Sequence, residues 1–209
     1  MKTVLYLIRH GKTKGKDLCY KGQTDVPLSE EGIRQAESLG DHLKKEGISF
    51  SCMYTSDLSR AVQTAYIIGR FLNCNNIKKE KLLRERNFGI WEGKTLDEIK
   101  ERWKEDFERW KKDPLNFYPP EGESTLELKE RVEKVLKEIK EKHRGETVCI
   151  VAHGGVNRVI ICSFLGLSLK NIFSIEQDYC CLNKIEIYDD GFSVIKKLNW
   201  TLRITEDAW

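Results

Sequence analysis

Two short apolar runs, each stopping on a histidine and a glycine, constrain this chain more than any other feature. The first is "VLYLIRHG", residues 4–11, and the second is "VCIVAHGG", residues 148–155. An uninterrupted apolar run of this length, with no polar alternation, reads as a strand covered on both faces. Such strands belong to mostly parallel sheets with helices on either side. The runs place strands at about 3–8 and 147–152.

The intervening segments supply the helices. Ser29 is placed to cap a helix with Ile33, Ala36, Leu39 and Leu43 facing inward and Gly47 just past its end. A strand around 50–54 precedes "SDLSRAVQTAYIIGRFL", residues 56–72, a helix with Ala61, Ala65, Ile68 and Leu72 inward. Thr95 and Glu98 form a capping-box pattern before a helix carrying Ile99, Trp103, Phe107 and Trp110. The prolines and glycine of residues 113–124 mark a loop. Ser124 and Glu127 repeat the capping-box pattern ahead of Val132, Val135, Leu136 and Ile139, in a helix stopping near Gly145. A helix from about Gly155 to Leu165 closes on Gly166. Strands at 182–188 and 192–198, joined through "DDG", read as a hairpin. Strands alternating with helices and ending in a hairpin predict an α/β protein. The expected architecture is a three-layer α/β/α sandwich, with a mostly parallel sheet and an antiparallel edge. The 209 residues suit a single domain spanning 1–209.

Charge narrows the partners. A third of the residues are charged, yet the net charge is only +3, which gives no case for nucleic acid or an anionic membrane surface. No apolar segment is long enough for a signal peptide or a membrane span. The seven cysteines are odd in number and show no C-x-x-C spacing. They read as free thiols in a reducing cytoplasm rather than as a disulfide framework or a zinc site.

In open α/β sheets ligands bind beyond the carboxyl ends of the strands. His10 and His153 fall there, Arg9 directly precedes His10, and Arg60 lies near the start of the helix after the 50–54 strand. Two guanidinium forks and two imidazoles with no acid beside them suit a phosphoryl group. Gly11 and Gly154 would let backbone N–H groups approach the anion, and the helix after Gly154 adds its dipole. Neighbouring cations lower an imidazole's pKa, so it keeps a lone pair at pH 7 and can attack phosphorus. The cage neutralises charge without a metal, and no carboxylate cluster suits magnesium. His42 and His143 sit in charged helical stretches and read as solvated. Trp103 and Trp110 fit helical core spacing, with a pocket wall as the other option.

The motifs together resemble the histidine phosphatase superfamily, the phosphoglycerate-mutase-like proteins. They are "RHGKT" at 9–13, "GQTDVPLSEEGIRQA" at 22–36, "YTSDLSRAVQTA" at 54–65, "RERNFGIWEG" at 84–93, "PEGES" at 120–124 and "VAHGGVNR" at 151–158. The resemblance covers nearly the whole chain. It implies that His10 becomes phosphohistidine, that Arg9, Arg60, His153 and Thr13 complete the phosphate pocket, and that Gln23 meets the rest of the substrate. It implies that Glu85 protonates the leaving oxygen and then activates water. Glu92 is the rival carboxylate, which in the family falls in a structural turn. Lys16 stands where the family commonly has asparagine, so it is either a longer, charged phosphate donor or a solvated lysine in a rearranged loop. The short span from Glu85 to His153 argues for hydrolysis rather than the phosphoryl return of a cofactor-dependent phosphoglycerate mutase. Residues 176–199 look most like α-ribazole phosphatases of the cobalamin pathway, with phosphoserine or a sugar phosphate as alternative substrates. A non-catalytic phospholigand binder would lack His10 or Glu85, and both are present. The expected partner is a small phosphorylated metabolite, with no cofactor, and a homodimer is compatible with this reading.

Overall fold

The computed structural model describes residues 1–16 and 18–202. Six strands form one sheet: β1 (Lys2–Arg9), β2 (Cys52–Thr55), β3 (Ile77–Lys79), β4 (Thr147–Ala152), β5 (Leu182–Tyr188) and β6 (Ser193–Trp200). Their order is β3-β2-β4-β1-β5-β6. The first four in that order run parallel, and the β5–β6 hairpin adds the antiparallel edge. Helices α1 (Glu30–Lys45) and α2 (Ser59–Phe71) pack on one face, and α5 (Thr125–Lys142) and α6 (Gly154–Leu165) on the other. The three-layer sandwich expected from the two apolar runs is the fold observed.

The side-chain alternation of a strand explains the runs. Leu5 and Leu7 of β1 join Val148 and Ile150 of β4 under α5 and α6. Tyr6 and Ile8 join Cys149 and Val151 under α1 and α2. These residues are covered on both faces, so the apolar stretches of the two strands show no polar alternation. Ile150 is fully buried, and truncating it to alanine should cost about 2–5 kcal/mol. The β1–β4 register pairs Arg9 with Ala152, and His10 N–H donates to the Ala152 carbonyl at 3.0 Å. The next residues of the two strands, His10 and His153, therefore emerge side by side.

The local caps form as their residue types direct. Ser29 accepts the Gly32 N–H. Thr95 with Glu98, and Ser124 with Glu127, close both hydrogen bonds of a capping box. Gly166 ends α6 in the left-handed region.

Four expectations need correction. Ile33 faces outward, because the inner stripe of α1 runs through Gly32, Ala36, Leu39, Gly40 and Leu43. The single helix expected over 95–110 is two, α3 (Leu96–Arg102) and α4 (Lys104–Lys112). They part at Trp103, whose backbone leaves the helical region while its ring packs on a separate cluster around Trp91, Ile99, Phe107 and Phe117. His143 is buried rather than solvated, with Nε2 on Tyr54 Oη at 2.9 Å and Nδ1 on Glu146 at 2.6 Å. His42 is half-buried, its ring 4.7 Å from that of Trp200. Strand β3 is an addition that its three residues gave no periodic signal for. All seven cysteines are unpaired. No helix among the described residues is long and apolar enough to cross a membrane.

Candidate active site

The ring of His10 is oriented by its own neighbour. Nδ1 lies 2.8 Å from the Gly11 carbonyl oxygen. A carbonyl only accepts, so Nδ1 carries the hydrogen and Nε2 keeps the lone pair. Burial first, then Arg9 and Arg60, push the His10 pKa well below its ordinary 6.5. The His153 ring stands edge-on to it, centroids 5.1 Å apart, and burial followed by Arg60 lowers its pKa in the same way. Both imidazoles are neutral at pH 7.

The guanidiniums are tethered but not neutralised. Arg9 donates from Nη1 to the Gln177 carbonyl at 2.5 Å and lies 4.1 Å over the Tyr179 ring. Arg60, in the first turn of α2, donates to the carbonyls of Thr24 at 2.8 Å and Gly22 at 2.6 Å. Nε of each arginine and both nitrogens of His153 are buried with no hydrogen-bond partner among the described residues. A buried donor left unpaired costs about 1–3 kcal/mol. A tetrahedral oxyanion in front of His10 would supply the missing acceptors.

Glu85 closes the side of the cavity facing these groups. It sits in the irregular stretch after a 3-10 turn at Lys81–Leu83. Its carboxylate accepts from Arg86 N–H at 2.8 Å and from Gly155 N–H at 3.0 Å. A Cβ on Gly155 would stand 2.4 Å from Glu85 Oε1, so a side chain there would displace the carboxylate from its present place at the start of α6. Arg9, His10, Arg60, Glu85 and Gly154 line one cavity of about 860 Å³, its open mouth included. Its outer wall carries Tyr20, Phe88 and Phe173 with Arg86 and Arg158. Arg86 is held by the carbonyls of Glu123 and Phe117, and Arg158 by that of Ile175. Among the described residues, none of these cations forms an ion pair with a carboxylate, unlike Arg84 with Asp57 or Arg131 with Glu123.

The remaining sequence candidates fall in different places. Thr13 is buried, its hydroxyl has no partner among the described residues, and it does not line the cavity. Gln23 does not line the cavity; its side-chain amide donates to the Glu85 carbonyl at 3.1 Å. Lys16 points away, with Nζ 3.2 Å from the Glu98 carboxylate, while Lys21 is the lysine at the cavity's edge. Glu92 is consumed as a staple. It accepts from the N–H groups of Gln23, Thr24 and Phe88 and from the Thr24 hydroxyl. Gly11 serves packing instead of anion approach, because a Cβ there would sit 2.5 Å from the Gly32 carbonyl oxygen and its N–H is already given to Thr64. Among the described residues no three His, Cys, Asp or Glu side chains group to hold a metal ion.

Sequence reasoning named neither Arg86, Arg158 nor Tyr179. Arg86 adjoins Glu85, and Arg158 lies four residues after Gly154 on the same helical face, so both carried a local signal. Tyr179 reaches the site only through the path of the loop before β5.

Known proteins resemble this chain over nearly its whole length. The model of the histidine phosphatase superfamily (branch 1) matches residues 5–201. Phosphoserine phosphatase 1 of Hydrogenobacter thermophilus is 32% identical over 203 residues, covering 97% of this chain and 94% of that protein. The adenosylcobalamin/α-ribazole phosphatase of Escherichia coli is 30% identical over 198 residues, covering 93% and 95%. The crystal structure of the α-ribazole phosphatase from Shigella flexneri superposes with a TM-score of 0.84 at 29% identity, covering 94% of this chain and 96% of that one.

Proposed function

The chain belongs to the histidine phosphatase superfamily and is a phosphoric monoester hydrolase; on that premise we propose that the phosphoryl group passes through His10. The observation that carries this is the set of unpartnered buried donors on Arg9, Arg60 and His153 around a neutral imidazole whose lone pair is on Nε2. The donors bind the phosphate oxygens, and Nε2 attacks phosphorus as the ester P–O bond breaks. Glu85, protonated, gives its proton to the leaving oxygen. As a carboxylate it then takes a proton from the water that attacks the phosphohistidine. Inorganic phosphate leaves, and His10 and Glu85 return to their starting states.

For the substrate we propose α-ribazole 5′-phosphate. The resemblance of residues 176–199 supports it, and Tyr20, Phe88 and Phe173 offer an aromatic wall for a benzimidazole riboside. A second reading has its own support. Among the described residues Arg86 and Arg158 form no ion pair with a carboxylate, and they would suit a substrate carboxylate such as that of phosphoserine. Rapid quench with labelled substrate should trap an acid-labile, alkali-stable phosphoenzyme, absent in His10→Ala. Near wild-type turnover of His10→Ala would remove the mechanism. Dialysis against EDTA should leave turnover unchanged. Comparing kcat/KM for the two phosphates decides the substrate, and a much higher value for phosphoserine replaces the first choice.

A further inference from the structure

We propose that the Arg131–Glu123 ion pair positions Glu85, a role for the "PEGES" segment that the phosphate pocket does not account for; the inference rests on Glu85 being the acid. Glu85 lies between two 3-10 turns, at Lys81–Leu83 and Gly89–Trp91, in a stretch with no regular backbone partners. Such a stretch must satisfy its polar groups elsewhere. Arg131, on α5, donates from Nη1 to the Leu82 carbonyl at 2.6 Å and from Nη2 to the Glu85 carbonyl at 2.9 Å. Its Nε and Nη2 grip the Glu123 carboxylate at 2.9 and 2.6 Å.

Glu123 holds the other end of the stretch. Its carboxylate accepts the Asn87 N–H at 2.8 Å, and its own N–H donates to the Asn87 carbonyl at 2.9 Å. Its carbonyl accepts from Arg86 Nε at 3.0 Å. Two residues thus hold Leu82, Glu85, Arg86 and Asn87 at once. Both side chains are largely buried, at 15% and 16% exposure, and neither lines the cavity. Neither reaches the space a substrate would fill, although Arg131 adds the smallest of the named contributions that lower the His153 pKa. What they fix is the backbone from which the Glu85 carboxylate reaches Gly155 N–H and the leaving oxygen. Catalytic groups tolerate displacements of only about 0.5 Å, so releasing this grip should impair proton donation specifically.

The test reads leaving-group dependence, which a merely structural role would not move. Arg131→Ala should lower kcat about tenfold or more on an alkyl phosphate and by less than about threefold on p-nitrophenyl phosphate, with KM changed little for either. Added to Glu85→Gln, it should cause no further loss on the alkyl phosphate, because the group it positions is already gone. Arg131→Lys cannot span all three acceptors and should fall between. Glu123→Gln keeps the shape and an acceptor for Asn87 N–H, and provides the same comparison if Arg131→Ala does not fold by circular dichroism. Equal losses on both phosphates, or losses additive with Glu85→Gln, overturn the positioning role. If Glu85→Gln itself loses equally on both phosphates, the acid assignment fails and the inference falls with it. If Glu85→Gln discriminates and the ion-pair variants do not, only the inference falls.

Discussion

His143 and His153 are both buried, and their surroundings could hardly differ more. His143, at the end of α5, has a partner on each ring nitrogen: the Tyr54 hydroxyl on one side and Glu146 on the other. Its backbone is used as well, with the carbonyl accepting from the Thr3 hydroxyl. Among the described residues His153, at the end of β4, has no partner on either nitrogen, and the side chains of the arginines beside it hydrogen-bond only to carbonyls. The first arrangement is complete and holds the fold. The second is complete only when an anion arrives. A buried polar group that is satisfied contributes stability, whereas a cluster of unsatisfied donors on a rigid frame stores recognition at the expense of stability.

The sharpest way to break this comparison is to exchange the expected losses. His153→Ala removes a donor from the phosphate cage and should lower kcat by about 10²–10³-fold, with little or no fall in the urea midpoint. A large loss of stability with retained turnover would reverse the assignment. His143→Phe should do the opposite. It strands the Tyr54 hydroxyl and should cost about 1–3 kcal/mol in equilibrium unfolding, while kcat of the folded fraction stays within about twofold.

pH sharpens the same contrast. The folded pKa values of His10 and His153 are lowered well below 6.5, chiefly by burial. The unfolded chain therefore takes up protons below about pH 6.5 that the folded chain refuses. Stability should be flat from these groups above that pH and fall as pH drops below it. The slope is at most about 1.4 kcal/mol per pH unit for each histidine, until the folded pKa is reached. Urea midpoints at pH 7, 6 and 5 should show the fall, and His153→Gln should make it shallower. A midpoint independent of pH would mean that these imidazoles take up protons in the fold as readily as in the unfolded chain. The smallest effect is expected at Lys16, which is paired with Glu98 at the surface. Lys16→Met should leave KM and phosphate inhibition unchanged at low and high salt. A salt-dependent rise in KM would bring Lys16 into the site after all.

Much of this protein was determined locally. The apolar runs of β1 and β4 had to be covered on both faces, and that requirement carries the three-layer sandwich. Ser29, Thr95 and Ser124 cap their helices through bonds spanning three residues. His10 and His153 stand at strand ends because those runs stop there, so their juxtaposition was legible as soon as the strands were. What only the tertiary structure decided involves partners distant in sequence. Ile33 turned outward because Gly32, one position earlier, packs against Lys12. Glu92 and Glu85 are two carboxylates in one motif, and their division of labour depends on which backbone N–H groups meet them: those of Gln23 and Thr24 for the one, that of Gly155 for the other. His143 looked solvated until Tyr54, 89 positions away, met its ring, and Arg9 is anchored on a carbonyl 168 positions downstream. Periodicity and capping act over one or two turns of chain, so they can place a residue on an element. Whether a polar atom there finds a partner or is left to bind a ligand is settled by groups that only folding brings within about 3 Å.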